Sequence, residues 1–486
     1  MFLKCARMKL AAILMLTLLP VRIMAADIVN MTEAELADRI EGGVLGQILG
    51  NLNGLEHEFR YIDSPGNVSK YTPSLPEGAF TDDDTDIEWV YLVEMERSGE
   101  LFLSPHRMRT LWVRHINDWI WSANNSARHL MRLELDPPDT GNGVLNPWAE
   151  TNVGGLFLSE MFSLASPAMP QTAGKLATYY ARASVDGEPI QSTQFSSTVV
   201  SLAFVEQDIS KLLDAGELAV DPDCHVADII RFARKQVRKH PDDWRAARLA
   251  VRNRFTQYGG IRPELNGYAL NTAAAVCALE YGRGDFIETL KLAFNFGWDA
   301  DNTAAFCGTV LGVIHGRKWI AEQGWHIQDL YRNTRRDEMP NDETISGYAR
   351  RIQKIARQVI EENGGQRQTQ GDRNTFLISR QEPQNMEKFT SHMDQKQQLL
   401  EKWGPRLERD LTQGSNLERA RAVYLAICLG KVSELSSKHP GAWGWGVQRL
   451  ERYNPEIVIE IFTAPLPYGE QLRNAAKDAK ILRVSQ

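Results

Sequence analysis

The segment "GWDADNTAAFCGTVLGVIHG" at residues 297–316 places two aspartates, Asp299 and Asp301, ahead of a stripe of small residues. The stripe repeats at every fourth position and consists of Ala304, Gly308, Gly312 and Gly316. A glycine inside a helix costs about 1 kcal/mol relative to alanine. Such a stripe therefore predicts that another backbone approaches this helix face closely, or that a ligand lies beside it.

A second stripe of the same spacing occurs near the start of the chain, with Gly42, Gly46, Gly50 and Gly54, and Glu58 continues the series. Thr32 and Glu35 have the spacing of a capping box at the start of this helix. A transmembrane glycine dimer is disfavoured, because Asn51 and neighbouring acids interrupt the apolar run. We expect the two glycine helices to pack against each other.

The segment "FTDDDTDIEWVYL" at residues 80–92 carries four aspartates within five residues. The helix dipole favours one or two acids at a helix start, by about 0.3–1 kcal/mol each. Four such acids repel one another unless a cation or solvent intervenes. Carboxylate oxygens suit Mg²⁺, Mn²⁺ and Ca²⁺, and two distant acidic turns can converge on one metal site.

Together these stretches resemble the ADP-ribosylglycohydrolase family. That family shows a G-x-x-x-G-D-x-x-G-x-x-x-E helix, then an [ST]-D-D-T turn, and later a G-G-D-x-D-[ST]-x-A-x-x-x-G turn and helix. The corresponding segments are "GQILGNLNGLEHE" at 46–58, "DDDT" at 82–85 and "GWDADNTAAFCG" at 297–308. Order and approximate spacing agree, and the resemblance covers residues 32–362.

The resemblance implies an all-α fold, an orthogonal helical bundle, with two Mg²⁺ ions in a cleft. Mn²⁺ and Ca²⁺ suit the same oxygen ligands. It also implies hydrolysis of the bond between the ribose C1″ carbon of ADP-ribose and a protein side chain or small molecule. A related ribosyl or nucleoside substrate is compatible with the same chemistry.

Carried over by position, the resemblance assigns three groups of site residues. The metal ligands would be Thr81, Asp82, Asp83, Asp84, Asp299, Asp301, Asn302 and Thr303. The catalytic residues would be Glu58, Asp83 and Asp301, and the substrate-contacting loop would contain Gly154 and Gly155. Two registers remain open for the first acidic turn, which begins at either Thr81 or Asp82.

Four positions depart from the family pattern: Asn51 replaces an aspartate, Asp82 a hydroxyl, Trp298 a glycine, and Asn302 a serine or threonine. These departures favour one alternative, an exported binding protein that keeps the fold without catalysis. A second alternative is a haloacid-dehalogenase-type phosphatase, whose D-x-D-x-[TV] motif matches residues 299–303. It requires a preceding strand, whereas the residues before 297 have helical periodicity.

The chain divides into four segments by composition. Residues 1–26 have a basic start, a short apolar stretch and small residues at the end, which predicts a cleaved signal peptide and a secreted or periplasmic protein. Residues 27–362 form the predicted helical domain, residues 363–384 a polar linker, and residues 385–486 a small helical C-terminal region.

No later segment predicts a membrane span, so we expect none after signal cleavage. Removal of the signal changes the formal net charge from −7 to −11. This acidic balance disfavours a nucleic-acid partner.

Overall fold

The computed structural model describes residues 27–81, 83–256, 267–339, 343–371, 373–458 and 469–480. The first helices are α1 (Glu33–Gly54), α2 (Asp83–Ser98), α3 (Pro105–His115), α4 (Ser122–Arg132), α5 (Glu160–Leu164), α6 (Pro170–Ala181) and α7 (Glu188–Leu202). They are followed by α8 (Ile209–Ala219), α9 (His225–Lys239), α10 (Trp244–Phe255), α11 (Tyr268–Gly282), α12 (Phe286–Phe296), α13 (Ala300–Glu322) and α14 (Ile345–Glu362). The C-terminal helices are α15 (His392–Gln413), α16 (Asn416–Cys428), α17 (Val432–Lys438), α18 (Pro440–Tyr453) and α19 (Gly469–Asp478).

The strands are short and few among the described residues: β1 (Ile28–Thr32), β2 (Ala79–Phe80), β3 (Tyr331–Arg332), β4 (Gln366–Gln370) and β5 (Arg373–Ser379). Strands β2 and β3 pair in parallel, and β1, β5 and β4 form an antiparallel sheet in that order. The predicted all-α class is confirmed.

Helices α1 and α13 form the central pair of the bundle, with their two glycine stripes face to face. A β carbon on Gly46 would overlap the carbonyl oxygen of Gly308, and one on Gly50 would overlap that of Ala304. The stripes run in opposite directions, since Gly42 meets Gly312 whereas Gly54 meets Asp301. The predicted packing of the two stripes is confirmed. The antiparallel arrangement brings the end of α1 to the start of α13.

The segment predicted as a linker, residues 363–384, contains strands β4 and β5 and is therefore part of the domain. β5 pairs along its length with β1, and the side chains of Phe376 and Ile378 are fully buried. The sequence did not indicate this sheet, because β4 is polar and exposed along its whole length. The alternation that marks a half-buried strand is thus confined to a few residues of β5.

The described part of the C-terminal region consists mainly of helices α15–α19 and shares a buried core with residues of the segment 130–145. Trp403, Leu411 and Tyr424 lie in one buried cluster with apolar residues of the segment 130–145. The indole Nε1 of Trp403 also donates a hydrogen bond to Asp139 (2.8 Å). This region therefore covers apolar surface that the helical domain would otherwise expose.

None of the helices in the described part of the chain has the length and apolar character needed to cross a bilayer. The predicted signal peptide, residues 1–26, lies outside the described residues.

Candidate active site

A cleft of about 860 Å³ opens where the end of α1, the start of α2 and the start of α13 meet. Its acidic and polar lining residues are Glu58, Thr81, Asp83, Asp84, Ser122, Asn124, Thr151, Asn152, Asp299, Asp301, Asn302 and Thr334. Its other lining residues are Leu55, Phe59, Phe80, Trp121, Trp148, Phe157 and Arg335. Acids thus form one part of the cleft, and aromatic rings with one arginine form another.

Three carboxylates converge in this cleft. One follows α1 near the start of the chain, and the other two lie at the start of α13. Glu58, Asp299 and Asp301 each bring one oxygen atom to within 4.8 Å of the others. The two aspartates are buried, and Glu58 is half-buried. Clustered carboxylate oxygens fit Mg²⁺, Mn²⁺ or Ca²⁺, so these residues could hold a divalent cation.

The loop between α12 and α13 determines where Asp299 lies. Gly297 and Trp298 both have positive φ angles, of 74° and 58°. Such a conformation is unfavourable for a bulky residue. The buried indole of Trp298 packs 4.5 Å from the guanidinium of Arg248, which also donates to the carbonyl of Phe296 (2.7 Å). These contacts stabilise the turn although Trp298 replaces the glycine of the family pattern.

A backbone hydrogen bond connects this turn to the residue that follows Glu58. The N–H of Phe59 donates to the carbonyl oxygen of Trp298 (2.7 Å). The N–H of Asp299 donates to the side-chain oxygen of Asn271 on α11 (3.2 Å). Glu58 and Asp299 are therefore fixed relative to each other by the backbone.

The first acidic turn reaches the same cleft. Asp84 is buried at the start of α2 and accepts hydrogen bonds from the amides of Asn51 (2.6 Å) and Asn302 (3.3 Å). Asp83 lines the cleft and is half-buried. Asp82 lies outside the described residues. The structure thus brings Asp83 and Asp84 to one cleft with Asp299 and Asp301.

Asp86, the fourth acid of the turn, has a structural role. Its carboxylate accepts hydrogen bonds from the N–H groups of Thr334 (2.7 Å) and Arg335 (3.1 Å) and from the hydroxyl of Tyr331 (3.0 Å). It also accepts one from the hydroxyl of Thr81. Asp86 therefore holds the cleft-lining segment 333–335 against α2, and the Thr81 hydroxyl is engaged in the same network.

Three other predicted positions are not among the lining residues of the cleft. Gly154 and Gly155 are buried in a 3-10 helix (Val153–Gly155), where Gly155 packs directly against the carbonyl of Pro189. Their neighbours Thr151 and Asn152 line the cleft instead. Thr303 is fully buried in the first turn of α13 and is likewise outside the lining.

The aromatic side of the cleft was not predicted from the sequence. Trp121 is 54% exposed, and the Arg335 guanidinium lies 5.2 Å from its ring centre. Phe80 is 46% exposed and lies against Arg332 at 5.0 Å. These residues lie in segments far apart in the chain with no shared spacing, so no sequence signal connects them.

Residues 32–368 match the family model for ADP-ribosylglycohydrolase. The chain belongs to the ADP-ribosylglycohydrolase family. No match to the chain is found among curated proteins. Family membership confirms the resemblance seen in the sequence and identifies a hydrolase, a glycohydrolase of an all-α family that acts on ADP-ribosylated substrates.

Proposed function

We propose that this glycohydrolase cleaves the C1″ glycosidic bond of an ADP-ribosyl group in the cleft, and that turnover depends on a divalent cation, Mg²⁺ in the first instance. The observation that carries the proposal is the convergence of Glu58, Asp299 and Asp301 to within 4.8 Å. Glu58 is far from the two aspartates in sequence, and the tight packing of α1 on α13 brings it to them.

The size and lining of the cleft support a nucleotide-sized substrate. Its volume of about 860 Å³ falls in the range of about 300–1,000 Å³ that is usual for small-molecule sites. The exposed rings of Trp121 and Phe80 offer faces for a flat base. Arg335, beside Trp121, offers a cationic group for a pyrophosphate.

Glu58 is the residue we assign to proton transfer. It is half-buried at the cleft edge, and the hydrogen bond from Phe59 to Trp298 fixes its backbone beside Asp299. A carboxylate in this position can take the proton of an attacking water. A bound cation would supply Lewis-acid stabilisation and lower the pKa of a coordinated water.

A second candidate function is a non-catalytic binding protein on the same fold. The amides of Asn51 and Asn302, which replace an acid and a hydroxyl of the family pattern, both donate to Asp84. Such a protein would retain ADP-ribose in the cleft without hydrolysing a glycosidic bond.

Export is part of the proposal and is supported by the signal-like composition of residues 1–26. Mass spectrometry of the chain recovered outside the cytoplasm should find an N-terminus near residue 27. Recovery of the uncleaved chain only from the cytoplasm would contradict export.

The deciding experiment measures release of free ADP-ribose from arginine-linked and serine-linked ADP-ribosyl peptides and from small ADP-ribosyl compounds. We expect release from at least one class, loss on chelation and recovery with Mg²⁺. Saturable binding of ADP-ribose without release from any class would favour the binding-protein function. Release that survives chelation would contradict the dependence on a cation.

A further inference from the structure

We infer that the cleft of this chain holds a single divalent cation, in place of the two that the family resemblance implies, because the amide of Asn51 occupies the place between Asp84 and Asp301. The inference rests on the proposed function, since it concerns the same acidic cleft.

The side chain of Asn51 lies between carboxylates from two different helices. Its Nδ2 atom is 2.6 Å from Oδ2 of Asp84 and 3.3 Å from Oδ2 of Asp301. A side-chain amide has two N–H donors, so one group can serve both carboxylates. A cation shared by Asp84 and Asp301 would meet these N–H hydrogens instead of an oxygen ligand.

Asp84 receives a second amide on its other oxygen. The Nδ2 atom of Asn302 lies 3.3 Å from Oδ1 of Asp84. A buried carboxylate requires hydrogen bonds or a counter-charge to offset its desolvation. Two amide donors supply that compensation to Asp84, which is only 4% exposed. Both donors come from positions that depart from the family pattern.

The same arrangement occurs one helical turn earlier on α1 and one turn later on α2. The Nε2 atom of Gln47 donates to Oε2 of Glu88 at 3.2 Å. Gln47 precedes Asn51 by four residues, and Glu88 follows Asp84 by four. Amides of α1 thus donate to carboxyl groups of α2 at two successive turns, and the second of these groups, Glu88, is fully buried and does not line the cleft.

The remaining acids form a separate group that retains oxygen ligands. Among the described residues, only Glu58, Asp299 and Asp301 place carboxylate oxygens within 4.8 Å of one another as a set of three. Asn302, which lines the cleft beside them, is 1% exposed, and its Oδ1 atom has no hydrogen-bond partner in the described part of the chain. A buried amide oxygen of this kind is a suitable hard ligand. One cation at this group accounts for both observations.

The test counts bound ions. The purified chain is dialysed against Mn²⁺, the bound metal is measured by elemental analysis, and the electron paramagnetic resonance spectrum is recorded. We expect one Mn²⁺ per chain with the six-line spectrum of an isolated ion. Two ions about 3.5–4 Å apart would couple magnetically. Asn51→Asp should raise the count to two and produce the coupled spectrum.

The matched control is Asn416→Asp, which changes an exposed asparagine far from the cleft and keeps the oxygen that accepts from Trp445 (3.2 Å). It should bind one ion, as the parent does. Should Asn51→Asp fail to fold, the parent count alone decides. Two ions in the parent, or none, would overturn the inference, as would loss of the ion in Asp84→Asn to the same extent as in Asp299→Asn.

Failure of this inference and failure of the proposed function are distinguishable. Two coupled ions together with ADP-ribose release would overturn the single-cation inference and leave the proposed function intact. One isolated ion without release from any ADP-ribosyl substrate would support the inference and contradict the proposed function.

Discussion

The carbonyl oxygen of Gly308 occupies the space in which a β carbon of Gly46 would lie. Because the obstacle is backbone, the helices must separate to accept Gly46→Ala. We expect this substitution to destabilise the protein by on the order of 3 kcal/mol, at the upper end of overpacking costs. Urea denaturation followed by circular dichroism measures the change.

A helical glycine without such a neighbour provides the control. Gly444 is exposed in α18, and a β carbon there would meet nothing within 4 Å. Gly444→Ala should therefore stabilise the protein by up to about 1 kcal/mol, through helix propensity alone. Destabilisation of equal size in both variants would show that the contact between the stripes is not the cause.

The glycine stripes and the acids beside them could be predicted from the sequence, because each depends on a local spacing that the helix converts into one face. The spacing of four predicted the contact between α1 and α13. In the structure, that contact brings Glu58 close to Asp301. The sheet of β1, β5 and β4 could not be predicted, since β1 is hundreds of residues from β5 and β4 has no apolar alternation. The expectation of glycosidic-bond hydrolysis came from the family resemblance rather than from periodicity.

Glu58→Gln tests the catalytic assignment. The amide keeps the shape of the side chain but cannot accept a proton in the pH range of the reaction. We expect kcat to fall by about 100-fold or more, as for loss of a general base. Steady-state release of ADP-ribose measures this effect, and the circular dichroism spectrum should match that of the parent.

Glu56→Gln is the matched control for Glu58→Gln. Glu56 lies two residues away, in the 3-10 helix (Leu55–His57) that Glu58 directly follows. Its side chain is 72% exposed and does not line the cleft. Its replacement should change kcat by less than a factor of two. An equal loss of activity in both variants would mean that the turn, and not the Glu58 carboxylate, is required.

Asp86→Asn tests whether Asp86 has a structural role, in contrast to Asp83 and Asp84, which are the candidate metal-binding acids of the first turn. The new amide can keep its oxygen towards the N–H groups of Thr334 and Arg335, which share one carboxylate oxygen. Its NH2 group then faces the hydroxyls of Tyr331 and Thr81, which donate to the other oxygen. We expect a loss of stability of about 1–3 kcal/mol and a raised KM, because the two hydroxyls lose their acceptor and the uncharged amide holds segment 333–335 less firmly. Cation affinity should change less than threefold. Loss of the cation in this variant would place Asp86 in the metal site.

Segment 333–335 also shows what the sequence could not indicate about the site. Asp86 belongs to the same acidic run as Asp83 and Asp84, yet it faces Tyr331 and the loop instead of the cleft. Helix geometry points these side chains in different directions. Only the distant segment 333–335 determines that Asp86, and not Asp83 or Asp84, accepts its hydrogen bonds. Trp121 and Arg335 likewise meet through tertiary packing, with no shared pattern in the chain.

Glu160→Gln tests a buried acid pair beneath the site. Burial raises the pKa of Glu160 to about 7, and burial beside Glu160 also raises the pKa of Glu88. The folded state therefore retains a proton that the unfolded state releases above about pH 4.5. Stability falls as the pH rises from about 4.5 through 7, by on the order of 3 kcal/mol for Glu160. Glu160→Gln should flatten this part of the curve.

Free energies of unfolding measured between pH 4 and pH 8 check this expectation. Glu361→Gln, an exposed position on α14, serves as control and should follow the parent curve. Parallel curves for the parent and Glu160→Gln would show that the Glu160 carboxyl group does not titrate in this range.

The shared core of the C-terminal region predicts that this region and the helical domain unfold together. The Trp403 side chain packs among residues of both parts and donates to Asp139. Trp403→Ala should cost about 3–5 kcal/mol and lower the single unfolding transition of the whole chain. Met393→Ala, at a side chain 78% exposed on the same helix α15, should leave that transition unchanged. A separate early transition in Trp403→Ala, with ADP-ribose release retained above it, would mean instead that the C-terminal region folds independently of the cleft.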